Sequence, residues 1–365
     1  MSNLPSERAV GKVSKVRFAP SVGYEDTTLL FASGTWDEEE ENAISLWKAE
    51  QKPPPLHRIL NAYDTKVVGE VKQPGDINDL CFLSTNYLVT ASSRGTIDAY
   101  KLVEQIESLN EQETSDGTDL STEKIIELEK ISSQTLHNWP ITTADNYYIS
   151  ATGLAIEPDN NEDLEIASVG EDGKLVFSRI TDTMTEIIDA DTGIINGLVW
   201  PTSHEIVIAT SGGRLKKYDR RNPRTAVAVA KTEGKGLDRL TCLAVNPNKK
   251  MQLASGSANG VVSIWDSRNL VEPLNKFEPH KLSVWDIIFH PNRPETVLSC
   301  SEDASIAILD LSKTSYLRDR DEIPRLPKNS NCAPLNSLDY HPSAKLLVSG
   351  SDDAKLFFDK LNDDS

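Results

Sequence analysis

One short unit constrains this chain more than any other feature. It is plainest from Leu253 to Arg268, LASGSANGVVSIWDSR. Leu253 to Ser255 is apolar and extended enough for a buried strand. Ala258-Asn259-Gly260 then breaks the run, and Asn-Gly signals a tight hairpin because both residues tolerate φ > 0. Val261 to Trp265 resumes with β-branched residues and ends at Asp266. The unit is strand, tight turn, strand, and the chain repeats it.

Seven segments follow this plan, each an apolar strand, a second strand rich in small residues, a turn and a third strand. Their first strands start at Val13, Ile77, Ala151, Ile195, Leu240, Val284 and Leu335. The turns at Gly173, Gly213, Gly260, Ala304 and Ala354 lie 40, 47, 44 and 50 residues apart. That spacing brackets the roughly 40–45-residue period of a four-stranded propeller blade. Stretches such as Thr185 to Ala190 and Thr225 to Ala230 fit a fourth, outer strand between units. A lone four-stranded sheet cannot bury both faces, whereas a ring of seven can. The fold expected is all-β, a single seven-bladed propeller over residues 1–365. The seventh unit runs out at Leu361 without an outer strand, so residues near Arg8 to Gly11 are expected to supply it and close the ring.

Charge and composition narrow the partners. The formal charge of −18 argues against direct binding to nucleic acid or anionic lipid, which needs a basic face. No apolar run reaches the roughly 18 residues of a spanning helix, and MSNLPSERAVGKV has no apolar core of a secretory signal. Cys81, Cys242, Cys300 and Cys332 form no CxxC pair. They read as reduced thiols of a cytosolic or nuclear protein. No HExxH, GxSxG or GxxxxGK[ST] motif occurs. His290-Pro291 and His341-Pro342 recur at one place in two units, which marks architecture. No enzyme, cofactor or metal site is expected.

The third-strand ends carry a further pattern. Trp265-Asp266 is matched by Trp47, Tyr218-Asp219, Leu309-Asp310 and Phe358-Asp359. With His280, Ser299 and Asp303 in the sixth unit, these residues resemble the WD-repeat family. In that family a His, a Ser or Thr and an Asp form a buried polar network within a blade. Four segments, Phe31 to Trp47, Ser168 to Ile180, Ser255 to Arg268 and Val284 to Asp303, resemble the small WD-repeat nucleoporins of the Y-shaped scaffold complex of the nuclear pore. The likeness runs in register from about Val13 to Asp310. It implies a non-catalytic scaffold subunit, monomeric by itself, bound to helical-solenoid and other WD-repeat nucleoporins on the short arm of the Y. It also implies location at the nuclear envelope, with a kinetochore association in animals.

Several features could dock a partner. Trp36-Asp37 with Glu38 to Glu41 lies in the turn after the second strand of the first unit. It is either a solvated loop or an aromatic anchor with carboxylates that steer a basic partner. Trp285 begins a first strand, near one mouth of the central channel, and either packs between blades or faces a peptide. Asp238 and Arg239 occupy a comparable loop. Trp265-Asp266-Ser267-Arg268 also fits the WDxR box of cullin-four ligase substrate receptors, where the Arg reaches the adaptor; alternatively Arg268 pairs with a neighbouring carboxylate. Residues 103–123 form an acidic insertion whose Val103, Ile106 and Leu109 could line a short helix. Residues 313–333 form a long loop in which prolines make strands unfavourable.

Overall fold

A computed structural model of the chain describes residues 6–20, 28–37, 41–51, 63–107, 123–138, 148–158, 165–180, 185–231, 238–313, 320–326 and 333–361. They form seven four-stranded antiparallel sheets, each ordered as in the sequence except the last. Blade 1 comprises Val13–Phe18, Thr28–Thr35, Glu41–Gln51 and Tyr63–Pro74. Blade 7 comprises Leu335–His341, Leu346–Ser351 and Lys355–Lys360, and its fourth strand is Ser6–Arg8 from the other end of the chain. The N-terminal closure is therefore present, but two to three residues earlier than Arg8 to Gly11. Ser6 pairs with Phe357 and Arg8 with Lys355, and the Ala9 amide extends the ladder to the Ala354 carbonyl at 2.8 Å.

The sequence dictates the turns. Gly95, Gly173, Gly213 and Gly260 adopt φ of 74°, 70°, 68° and 80°, and Ala304 and Ala354 adopt 61° and 57°. At Gly260 and Gly173 a Cβ would lie within 2.4 Å of the carbonyl oxygens of His280 and Asp191. Only glycine fits there without displacement of backbone.

The core is distributed rather than central. Seven apolar clusters among the described residues each lie at one seam between neighbouring blades. Phe31 and Trp47 of blade 1 pack with Val348 and Phe358 of blade 7, and Leu253 and Trp265 of blade 5 pack with Val207 and Leu215 of blade 4. Each blade thus buries both faces, as the argument from a single sheet requires.

Two local expectations are corrected. The helix expected from Val103 is strand: Thr96–Glu107 pairs with Glu123–Thr135, with Val103 opposite Glu127 and Ile106 opposite Lys124. The three apolar residues satisfy helical spacing, but Val103 to Glu107 simply continues the ladder that Thr96 to Leu102 forms with the returning strand. Leu109 and the rest of the acidic stretch up to Thr122 lie outside the described residues. In the stretch after Lys313, Arg325–Leu326 forms the fourth strand of blade 6, with Leu326 opposite Ile306. Pro324 does not prevent this, because its carbonyl accepts the Ile308 amide at 2.9 Å and an edge position asks for no N–H on the outer side. Ile323 is buried in the seam with blade 5.

Cys81, Cys242 and Cys300 are free thiols, and Cys332 lies outside the described residues. Burial pushes the Cys242 thiol up to about 12 and raises Cys81 and Cys300 as well, so these thiols are inert at neutral pH. Among the described residues no helix is long and apolar enough to cross a membrane.

Candidate functional site

The innermost strand of every blade is bulged after its first residue. A bulge leaves one residue out of the ladder and re-aims its side chain. The seven bulged residues are Ser14, Asn78, Thr152, Asn196, Thr241, Trp285 and Asn336, and all seven line one cavity of about 390 Å³ at a mouth of the central channel. Most of them stitch their blade to the next. Asn78 donates to the Ala151 carbonyl at 2.8 Å, Asn196 to Leu240 at 2.7 Å and Asn336 to Val13 at 2.9 Å. Thr152 and Thr241 donate likewise to Ile195 and Val284.

Trp285 breaks this pattern. It makes no such bond and stands 40% exposed in a ring of small polar side chains, whereas Ser14, the other bulged residue without a stitch, keeps a small buried hydroxyl that has no partner among the described residues. The seam between blades 6 and 7 is held instead by Asp286, one residue on. Its Oδ2 accepts from Ser337 Oγ at 2.8 Å, the Leu338 amide at 3.3 Å and Arg17 at 2.9 Å. Burial alone would raise the Asp286 carboxyl, but Arg17 and Lys15 hold it at about 2. The aromatic ring is thus free for another use while the adjacent carboxylate carries the architecture.

Trp36 lines the same cavity and is 36% exposed. Its Nε1 donates to Asp352 Oδ1 at 3.2 Å, and the Lys12 ammonium lies 6.0 Å over the ring while pairing with Asp37. Asp37 adopts φ 62°, which an Asp tolerates better than most residues, and its amide donates to Asp76 at 2.9 Å. Arg239 lines the cavity, and Asp238 beside it accepts from Asn259 Nδ2 at 2.6 Å. Glu38 lies outside the described residues; Glu41 begins the third strand of blade 1, opposite Pro74.

Arg268 is not at this mouth. It follows the third strand of blade 5, at the end remote from the Asn259-Gly260 turn, and lines a separate hollow with Lys249 and Leu274. Its guanidinium is 72% exposed and paired with Asp266, Nη2 to Oδ2 at 2.6 Å. Arg221 makes the same pair with Asp219 at 2.6 Å in blade 4. A contact made in two blades by an Asp-x-Arg spacing is local architecture first.

The buried polar networks are more numerous than His280 alone implies. His280 Nε2 bonds Ser299 Oγ at 2.9 Å, and its Nδ1 faces Ser305 and Asp303 at 3.1 and 3.3 Å. His137 repeats this in blade 3, with Ser168 at 3.0 Å and Asp172 at 2.9 Å. In blade 2 the place is taken by Gln73, which accepts from Thr90 at 2.9 Å and from Tyr100 at 3.0 Å. His137 is hard to find in the sequence because it precedes its serine by 31 residues, against 19 for His280. Among the described residues no group of three or more His, Cys, Asp or Glu could hold a metal ion.

Seven blades joined through seam cores make the chain a seven-bladed β-propeller, and its later blades carry WD repeats. The family model of the WD domain, G-beta repeat, matches residues 229–266, 271–310 and 325–358. Within that class the chain is similar to nucleoporin Nup43. It is 29% identical over 307 residues to Nup43 of Mus musculus and of Homo sapiens, covering 82% of this chain and 74% of each relative. It is also 28% identical to the nuclear pore complex protein nup43 of Dictyostelium discoideum over 145 residues, which cover 39% of this chain and 34% of that protein.

Proposed function

We propose that this protein is a non-catalytic scaffold subunit of the nuclear pore, and that the channel mouth carrying Trp285 and Trp36 docks a helical-solenoid nucleoporin of the Y-shaped complex. The similarity to Nup43 over most of the chain supports the pore assignment. The observation that carries the docking site is Trp285, an exposed aromatic ring at a bulge position that is small and polar in every other blade. Tryptophans in such settings dominate the energetics of protein interfaces. Trp36, Asp37, Asp238 and Arg239 flank it, and Glu38 adds negative charge to the same turn in sequence. Through these contacts the subunit would support pore assembly and nucleocytoplasmic transport.

Affinity purification of the protein and of Trp285→Ala tests both parts. The unaltered protein should recover nucleoporins of the Y complex. Trp285→Ala should recover about tenfold less with little change in melting temperature, because Trp285 belongs to none of the buried clusters at the seams. Full recovery by the variant would remove the mouth as the docking site. Recovery of a cullin adaptor that is lost with Arg268→Ala, without nucleoporins, would replace the pore assignment.

A further inference from the structure

The outer rim is not equally protected in all seven blades. An exposed edge strand invites pairing with another chain, and proteins blunt such edges with charge or by keeping them short. The outermost strands of blades 1, 2, 3 and 7 carry carboxylates, at Asp64, Glu127, Asp189 and Glu7. Those of blades 5 and 6 span only three and two residues. Blade 4 is defended less: its last strand spans four residues and its one charge, Lys231, stands at the end. Its last strand, Ala228–Lys231, continues an uncharged run from Ala226 to Ala230, and the Val227 amide prolongs the ladder to the Lys217 carbonyl at 2.8 Å.

The two faces of that strand differ. Ala230 is buried in the seam with blade 5. Val227 and Val229 stand 58% and 56% exposed. Cations cap both ends. Lys231 lies directly opposite Arg214 on the neighbouring strand, and Arg224 precedes the run; all three are exposed. Like charges directly opposed across a ladder are unfavourable, and among the described residues no ion pair reaches any of the three. In a chain with a net charge of −18, this is an apolar edge whose positive ends are paired with no carboxylate among the described residues.

We propose that this edge accepts an extended acidic segment of a partner protein as a fifth strand of blade 4. Main-chain hydrogen bonds give the affinity and alternate side chains the selectivity, as in other strand additions. Apolar side chains of the segment pack on Val227 and Val229, and its carboxylates meet Arg214 with Lys231 at one end and Arg224 at the other. The surface lies on the rim and is independent of the channel mouth.

The test uses a capped peptide of about seven residues, Glu-Thr-Val-Thr-Val-Thr-Glu, which puts both Val and both Glu side chains on one face, with a counterpart carrying Lys for each Glu as control. The acidic peptide should bind the full chain, slow amide exchange of residues 227–231, and bind more weakly as salt is raised. Val229→Glu and, separately, Arg214→Glu should each weaken it about tenfold; both residues are solvent-facing, and a melt of each variant checks its fold. Ile187→Glu, on the exposed edge of blade 3, should leave binding unchanged. Equal binding of the two peptides, or acidic-peptide binding that survives both variants, overturns the proposal. So does concentration-dependent dimerisation abolished by Val229→Glu, which would make a second copy of this chain the occupant.

Discussion

Blades 5 and 7 are both four-stranded antiparallel sheets with apolar seams, yet they differ at the centre of the sheet. In blade 5, Trp265 pairs with Leu253, is fully buried, and donates its indole N–H to Ser255 Oγ at 2.9 Å. In blade 7 the corresponding pair is Leu347 with Asp359. The register therefore places Asp359, rather than Phe358, where Trp265 stands. Ser349, the counterpart of Ser255, has no partner for its buried hydroxyl among the described residues. Asp359 is nearly buried, and burial pushes its carboxyl up to about 6. Blade 7 nevertheless forms a complete sheet with apolar clusters on both seams. The lesson is that seam burial and chain closure carry the blade, while the polar centre adds to it where it is present.

If closure carries blade 7, removing it should have the largest effect. Deletion of residues 1–12 takes away the Ser6–Arg8 strand and Ala9, which is buried in the cluster between blades 7 and 1. The melting temperature should fall by on the order of 10 °C, measured by calorimetry. Blade 5, whose four strands are contiguous in the chain, has no equivalent weakness. An unchanged melt would show that the polar centre matters more than the comparison allows.

How much of this was legible in the sequence varies with the physics of each feature. The turns at Gly173, Gly213 and Gly260 were legible because a positive φ restricts residue choice. The closing strand was legible by elimination, since the last unit ends at Leu361 with one strand missing. The bulges were not. One extra residue next to the first strand position leaves the apolar pattern of that strand readable either way, so the ring from Ser14 to Asn336 emerges only from pairing. The position of Trp285 near the mouth was readable, but its exposure depends on the neighbouring blades. Arg325–Leu326 was hidden by flanking prolines, and the strand through Val103 by a spacing that also fits a helix. Of the candidate docking residues, Trp36, Arg239 and Trp285 converge on one cavity, whereas Arg268 lies at the far end of its strand.

The Asp359 carboxyl offers a sharper contrast through pH. Its folded value near 6 lies above the roughly 3.9 of an unfolded Asp, so between these values the folded state holds more protons. Stability from this group is present below about pH 4 and is lost as pH rises toward 6. Asp359→Asn should remove that decline and be more stable than the unaltered protein at pH 7, by on the order of 2 kcal/mol. Denaturant titrations of both proteins at pH 4 and pH 7 isolate the group, because every other carboxylate is common to the pair. A difference that does not change between the two pH values would mean that the carboxylate is solvated in blade 7.

The smallest effect separates the two serines themselves. Ser255→Ala leaves the indole N–H of Trp265 buried without its acceptor, and an orphaned buried donor costs about 1–3 kcal/mol. Ser349→Ala removes a hydroxyl that already lacks a partner, so its cost should be near zero, or the variant slightly more stable. Two substitutions of identical chemistry, at equivalent positions of equivalent strands, should therefore differ by about 1 kcal/mol or more. Equal losses would mean that Ser349 finds a partner in solution, and that the centre of blade 7 is organised by a polar network after all.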